Sequence, residues 1–122
     1  MAMSSILVVD DEPHICELLH SYFTDHGHKV YVAETGQEAL AINDEYSPDI
    51  MLLDFKLPGM SGLDILHELQ QKPHMPIVII LSGHSTYELA EEAIEAGAFD
   101  YITKPLDLKQ LAEIISIAEL TT

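Results

Sequence analysis

The sequence predicts an α/β fold in which a parallel sheet is wound with helices on both faces. Three observations predict it. Five short apolar runs alternate with five segments whose apolar residues recur at helical spacing. The runs are continuously apolar rather than alternating, as strands buried on both faces are. Four of them end in a polar group, and open α/β sheets bind ligands outside the carboxyl ends of their strands. Right-handed crossovers restrict such a chain to doubly wound forms.

Ile6 to Val9 is the first strand, and it runs into Asp10-Asp11. Pro13 suits the first turn of a helix, where its missing N–H costs nothing. Ile15, Leu18, Leu19, Tyr22 and Phe23 follow at helical spacing, and Gly27 fits the stop. Val30 to Ala33 is the second strand. Thr35 and Glu38 read as a capping box for the second helix, with Ala39, Leu40 and Ile42 on its inner side. The third strand, Asp49 to Leu53, runs into Asp54.

Leu57-Pro58-Gly59-Met60-Ser61-Gly62 is a loop by composition. Ser61 is placed to cap a third helix carrying Leu63, Leu66 and Leu69. Pro73 and Pro76 bracket the turn into the fourth strand, Ile77 to Leu81, which runs into Ser82. Ser85 and Glu88 form a second capping-box pattern. Leu89, Ala90, Ala93 and Ile94 give the fourth helix its inner side, and Gly97 ends it. Phe99 to Thr103 is the fifth strand and leads into Lys104-Pro105, an X-Pro bond with access to the cis form. Asp107 caps the fifth helix, whose inner face is Leu111, Ile114, Ile115 and Ala118.

At 122 residues and 48% hydrophobic content, one domain with a true core is expected. Residues 1–4 read as a disordered start or one foreign to the domain. Five lysines, no arginine and 21 acidic residues give a formal net charge of -16. Nucleic-acid surfaces need clustered cations to displace counterions, so direct DNA or RNA binding is excluded. An anionic membrane surface is disfavoured for the same reason. Cys16 is the only cysteine, which rules out an internal disulfide and fits a reducing cytoplasm. The sequence holds no apolar stretch long enough to span a bilayer, and no basic-then-apolar signal opens it.

If the apolar runs are neighbouring strands, Asp10, Asp11, Asp54, Ser82 and Lys104 share one sheet edge. Two carboxylates in contact repel by roughly 4 kcal/mol at an effective dielectric of 20. Three of them call for a cation or a shifted pKa. An all-oxygen site of this kind suits Mg²⁺, with Mn²⁺ as a possible substitute. Asp54 is then a candidate nucleophile toward phosphorus, with Lys104 offsetting charge and Ser82 donating to a phosphoryl oxygen. Gly83 leaves room beside Ser82. Each residue also has a plainer reading. Asp10-Asp11 suits a helix N-terminus, Ser82 an ordinary loop position, and Lys104 a surface charge at a turn. The seven histidines show no metal-ligand spacing, and His26 and His28 flank a helix-ending glycine. The acidic row Glu88, Glu91, Glu92 and Glu95 reads as a solvated helix face.

Four motifs carry a resemblance: V-V-D-D-E-P at Val8 to Pro13, L-L-D-F-K-L-P-G-M-S-G-L at Leu52 to Leu63, L-S-G-H at Leu81 to His84, and A-G-A-F-D-Y-I-T-K-P at Ala96 to Pro105. In order and spacing they resemble the receiver domain of two-component response regulators, over nearly the whole chain. The resemblance implies a flavodoxin-like sheet of order 2-1-3-4-5 and a single receiver domain over residues 1–122. It implies that Asp54 accepts phosphate from a sensor histidine kinase or histidine phosphotransfer protein. Asp11 and Asp54 would bind Mg²⁺ directly, the Lys56 backbone carbonyl would join them, and Asp10 would act largely through water. Ser82 and Lys104 would contact the phosphoryl group, and Tyr101 would be the switch aromatic that turns inward with Ser82. Lys56, Gly83 and His84 would tune the phosphate lifetime.

The face formed by the fourth helix, fifth strand and fifth helix would act on a downstream effector domain or protein, and a phosphorylation-dependent homodimer is a further possible partner. The domain would not be an enzyme beyond its own phosphotransfer and dephosphorylation. Two rival readings are a Mg²⁺-dependent phosphohydrolase with an aspartyl nucleophile and a receiver-like interaction domain independent of phosphorylation. The chain suits either a stand-alone regulator or a receiver from a longer protein.

Overall fold

The computed structural model describes residues 3–83 and 87–121, and of residues 87–90 the backbone alone. Five strands and five helices alternate. They are β1 (Ser5–Val9), α1 (Pro13–Asp25), β2 (Lys29–Ala33), α2 (Gly36–Tyr46), β3 (Ile50–Asp54), α3 (Gly62–Gln70), β4 (Ile77–Ser82), α4 (Tyr87–Glu95), β5 (Asp100–Thr103) and α5 (Leu108–Glu119). All strand pairs are parallel, and the sheet order is β2-β1-β3-β4-β5. This is the doubly wound, flavodoxin-like arrangement expected.

The continuous apolar runs fill both faces of the sheet. Leu7, Val9, Met51, Leu53, Val78 and Ile80 pack with residues of α2, α3 and α4. Ile6, Val8, Ile50, Leu52, Ile79 and Leu81 pack with α1 and α5. Alternate side chains of a strand point to opposite faces, so a strand covered on both faces must be apolar throughout. The inner face of α5 is as expected: Leu111, Ile114, Ile115 and Ala118 are all buried.

Caps and stops follow the local chemistry. Ser61 and Asp64 form a reciprocal capping box on α3. Asp107 accepts from the backbone N–H groups of Lys109 and Gln110 at the start of α5. Thr35 accepts from Glu38 N at 3.1 Å, but the Glu38 carboxylate reaches Glu34 N and the Thr35 hydroxyl, so only half of that box forms. Gly27 and Gly97 follow α1 and α4 with φ of 93° and 107°, backbone that a side chain would strain. The Ser85–Glu88 capping pattern and the expected burial of Leu89 and Ala90 lie outside the described residues.

Other expectations need correction. Leu18 is 44% exposed and Ile94 45% exposed, while Cys16 and Asn43 are buried in α1 and α2. In α3, Ile65 takes the buried place expected of Leu63, which is half-buried. Asp49 lies before β3 rather than in it, and its carboxylate accepts from Ser5 N at 2.8 Å. Phe99 precedes β5, though its N–H already bonds Val78 O at 2.7 Å.

A candidate phosphoryl-transfer site at the carboxyl edge of the sheet

β1, β3 and β4 are adjacent and in register, so their polar ends emerge side by side. Val9 lies opposite Leu53, and Asp54 lies opposite Leu81. Beyond them β4 and β5 pair Ser82 with Thr103, and Lys104 N donates to Ser82 O at 2.7 Å. The Lys104-Pro105 peptide is cis. Five side chains scattered between residues 10 and 104 thus arrive at one edge because the strands that carry them are neighbours.

Asp10 is fully buried, Asp54 is 5% exposed, and Asp11 faces solvent. One carboxylate oxygen of each lies within 4.8 Å of the other two. The Lys104 ammonium donates to Asp10 Oδ2 at 2.9 Å and to Asp54 Oδ2 at 3.4 Å. Backbone N–H groups hold the second oxygens: Glu12 N donates to Asp10 Oδ1 at 2.9 Å, and Lys56 N to Asp54 Oδ1 at 3.0 Å. Each buried carboxylate is therefore fixed by one amide and one shared cation, an arrangement that limits the cost of burying two like charges.

These surroundings act on the protonation of the site. Burial raises the Asp54 carboxyl above its ordinary value. The Lys56 amide opposes this, the Asp10 charge adds to it, and Lys104 pulls it back. Burial works to lower the Lys104 ammonium, but the hydrogen bond to Asp10 and the charges of Asp54, Asp10 and Glu12 together outweigh it and raise it. Lys104 is thus held as a cation.

The other expected positions fall around this core. Ser82 is buried at the end of β4, and Gly83 is exposed, with open space where a Cβ would stand. Lys56 presents its side chain to solvent while its amide serves Asp54. Tyr101 is 36% exposed on β5, outside the carboxylate cluster. His84 lies outside the described residues. Glu12 was missed by the sequence reading. Its amide orients Asp10, and its carboxylate stands 3.7 Å from Lys104. Its place after two aspartates and before the helix-starting Pro13 was the available signal. The turn that brings its amide onto Asp10 is a three-dimensional fact.

The donor set is all oxygen, with two buried carboxylates and one exposed, which fits a hard divalent ion that keeps several waters. Phe55 and Gly62 shape the loop below. Gly62 N donates to Phe55 O at 3.1 Å, and a Cβ on Gly62 would stand 2.9 Å from Phe55 Cα.

Comparison with known proteins gives a consistent result. The model of the response regulator receiver domain family matches residues 6–116. Regulatory protein AtoC of Escherichia coli (strain K12) is 35% identical over 117 residues, which cover 96% of this chain and 25% of that protein. Transcriptional regulatory protein KdpE of Mycobacterium tuberculosis is 41% identical over 108 residues, covering 88% of this chain and 47% of that protein. The chain therefore spans less than half the length of these relatives. A response regulator receiver domain protein from Clostridium thermocellum superposes with a TM-score of 0.86 at 38% identity, covering 95% of this chain and 94% of that one. With the family's fold, strand order and sequence match over residues 6–116, this chain belongs to the response regulator receiver domain family.

Proposed function

We propose that Asp54 is the phosphoacceptor and that residues 1–122 act as one receiver domain. The observation carrying this reading is the Lys104 ammonium lying on both Asp10 and Asp54 at the sheet edge. It sets a fixed cation beside a buried carboxylate oxygen, where phosphoryl charge would need offsetting. An Asp54 oxygen forms a P–O bond as the P–N bond to a donor imidazole breaks. The electron pair stays on the imidazole nitrogen, which takes up a proton. Lys104 then neutralises phosphoryl oxygens, and Ser82 donates to one of them.

Receiver domains typically bind Mg²⁺ at an acidic pocket, and the cluster here has the donors for it. Asp11, Asp54 and the Lys56 carbonyl would hold the ion, with Asp10 reaching it through water. When bound, it would supply further positive charge to offset that of the phosphoryl oxygens. Receiver domains are regulatory, and the only chemistry proposed for this chain is its own phosphorylation and dephosphorylation. The upstream partner is a histidine kinase or phosphotransfer protein, and the downstream one is an effector addressed by α4, β5 and α5. Tyr101, exposed on β5, turns inward as Ser82 meets the phosphoryl group, a shift between two packings driven by contacts made in only one of them. Cytoplasmic residence is proposed on the free, buried thiol of Cys16. Among the described residues, no helix is long and apolar enough to cross a membrane.

Incubation with acetyl phosphate and Mg²⁺, read by intact mass, tests the reading. One labile phosphoryl adduct is expected, absent from Asp54→Ala. Sustained turnover of phosphate esters would replace it with a phosphohydrolase. No adduct from either acetyl phosphate or a phosphohistidine donor would replace it with an interaction domain.

A further inference from the structure

β5 is the last strand of the sheet, and a groove of about 520 Å³ runs between it and α5. Its apolar lining comes from the buried Ile102 and Ile114 and the exposed Tyr101 and Ile117. Asp100 and Glu113 add acidic groups to the same groove. Ile117 is 55% exposed, a large aliphatic group left in water beside a concave surface.

We infer that this groove takes a basic segment of a different protein, with an apolar side chain seated on Ile114 and Ile117 and Lys or Arg set against Asp100 and Glu113. The inference rests on the proposed role of α4, β5 and α5 as the output face, and names the chemistry of what that face meets. Charge decides between the occupants. A two-fold contact would set the patch on itself. Glu91, Glu92 and Glu95 of α4, which leads directly into β5, are exposed like Glu113. Lys109 is the one lysine of α5, and the Lys104 ammonium is held by Asp10 at 2.9 Å. A second copy would therefore bring carboxylates against carboxylates, which opposes association. A cationic partner reverses the sign and is also steered by the chain's net charge of -16. Arginine beside an apolar anchor suits such a contact, since guanidinium and apolar side chains together supply binding hot spots.

The test uses the full chain and a labelled peptide with a leucine stripe flanked by arginines, read by fluorescence anisotropy at physiological salt. Saturable binding is expected. It should weaken about tenfold or more in Ile117→Ala and in the double variant Asp100→Asn, Glu113→Gln. The double variant Glu45→Gln, Glu68→Gln makes the same charge change on exposed positions of α2 and α3 and should bind as the parent does. Equal weakening in both double variants would overturn the proposal in favour of diffuse attraction to an acidic surface. So would absence of binding, or a sedimentation-detected dimer abolished by Ile117→Ala. Phosphoryl uptake measured by mass on the same samples separates the two readings. A groove variant that accepts phosphate but loses the peptide supports the groove, and a parent that binds the peptide without accepting phosphate removes only the Asp54 assignment.

Discussion

Asp54 stands at the centre of the residue-scale chemistry, because it is buried beside Asp10 with one shared cation. Its carboxyl is raised, so between the ordinary and the raised value the folded chain holds a proton that the unfolded chain has lost. Stability from this group is therefore full below the ordinary carboxyl range and falls as pH rises through the raised value. Asp54→Asn is expected to stabilise the metal-free protein at neutral pH by on the order of 1 kcal/mol, the remainder of a like-charge repulsion that Lys104 already offsets in part. Thermal melts in a chelating buffer at pH 4 and pH 7 check it, with the gain present at pH 7 and smaller at pH 4. Lys56 gives a second expectation. Its amide serves Asp54 but its side chain is exposed, so Lys56→Ala should leave phosphorylation intact and change the dephosphorylation rate, measured by phosphate release. An unchanged rate would show that the side chain takes no part.

At the scale of elements, the turn from β3 into α3 is the tightest joint near the site. Phe55 lies against Gly62, and any Cβ there meets Phe55 main chain. Gly62→Ala should cost roughly 1–3 kcal/mol by overpacking, seen as a lowered denaturation midpoint. The same change at Gly83, where a Cβ meets nothing within 4 Å, should cost far less. These joints also show what the sequence could and could not disclose. The central strands β1, β3 and β4 were legible because burial on both faces leaves an unbroken apolar run, whereas the outer strands β2 and β5 are only partly buried and carry Lys29, Asp100 and Thr103. The site was legible because four strands end on polar groups. The helix faces were less so. Leu18 and Leu19 are adjacent, and neighbouring positions on a helix point about 100° apart, so only Leu19 reaches the core while Leu18 stays in water. Asn43 went unnoticed because its burial depends on donating its amide to His74 O at 3.1 Å, a partner 31 residues away. Glu12 escaped for a similar reason: its contribution runs through its main chain, which side-chain chemistry does not reveal.

For the whole molecule, the ion site proposed at the carboxylate cluster would link ion binding to stability. An ion that binds only the folded chain stabilises it by mass action, about 2.7 kcal/mol at a hundredfold excess over the dissociation constant. Mg²⁺ should therefore raise the melting temperature of the parent, and the rise should be lost in Asp11→Ala, whose exposed carboxylate can be removed with little effect on the core. A parent melting temperature indifferent to Mg²⁺ would count against the ion site. The pairing of Lys104 with Asp10 bridges 94 positions of chain. During synthesis, Asp10, Glu12 and Asp54 must therefore wait without this counter-charge until β5 has been made and has docked. A chain stopped before Lys104 would hold that acidic cluster without its cation, so under the proposed role of Asp54 it should take up no phosphate, and uptake would report that β5 had docked.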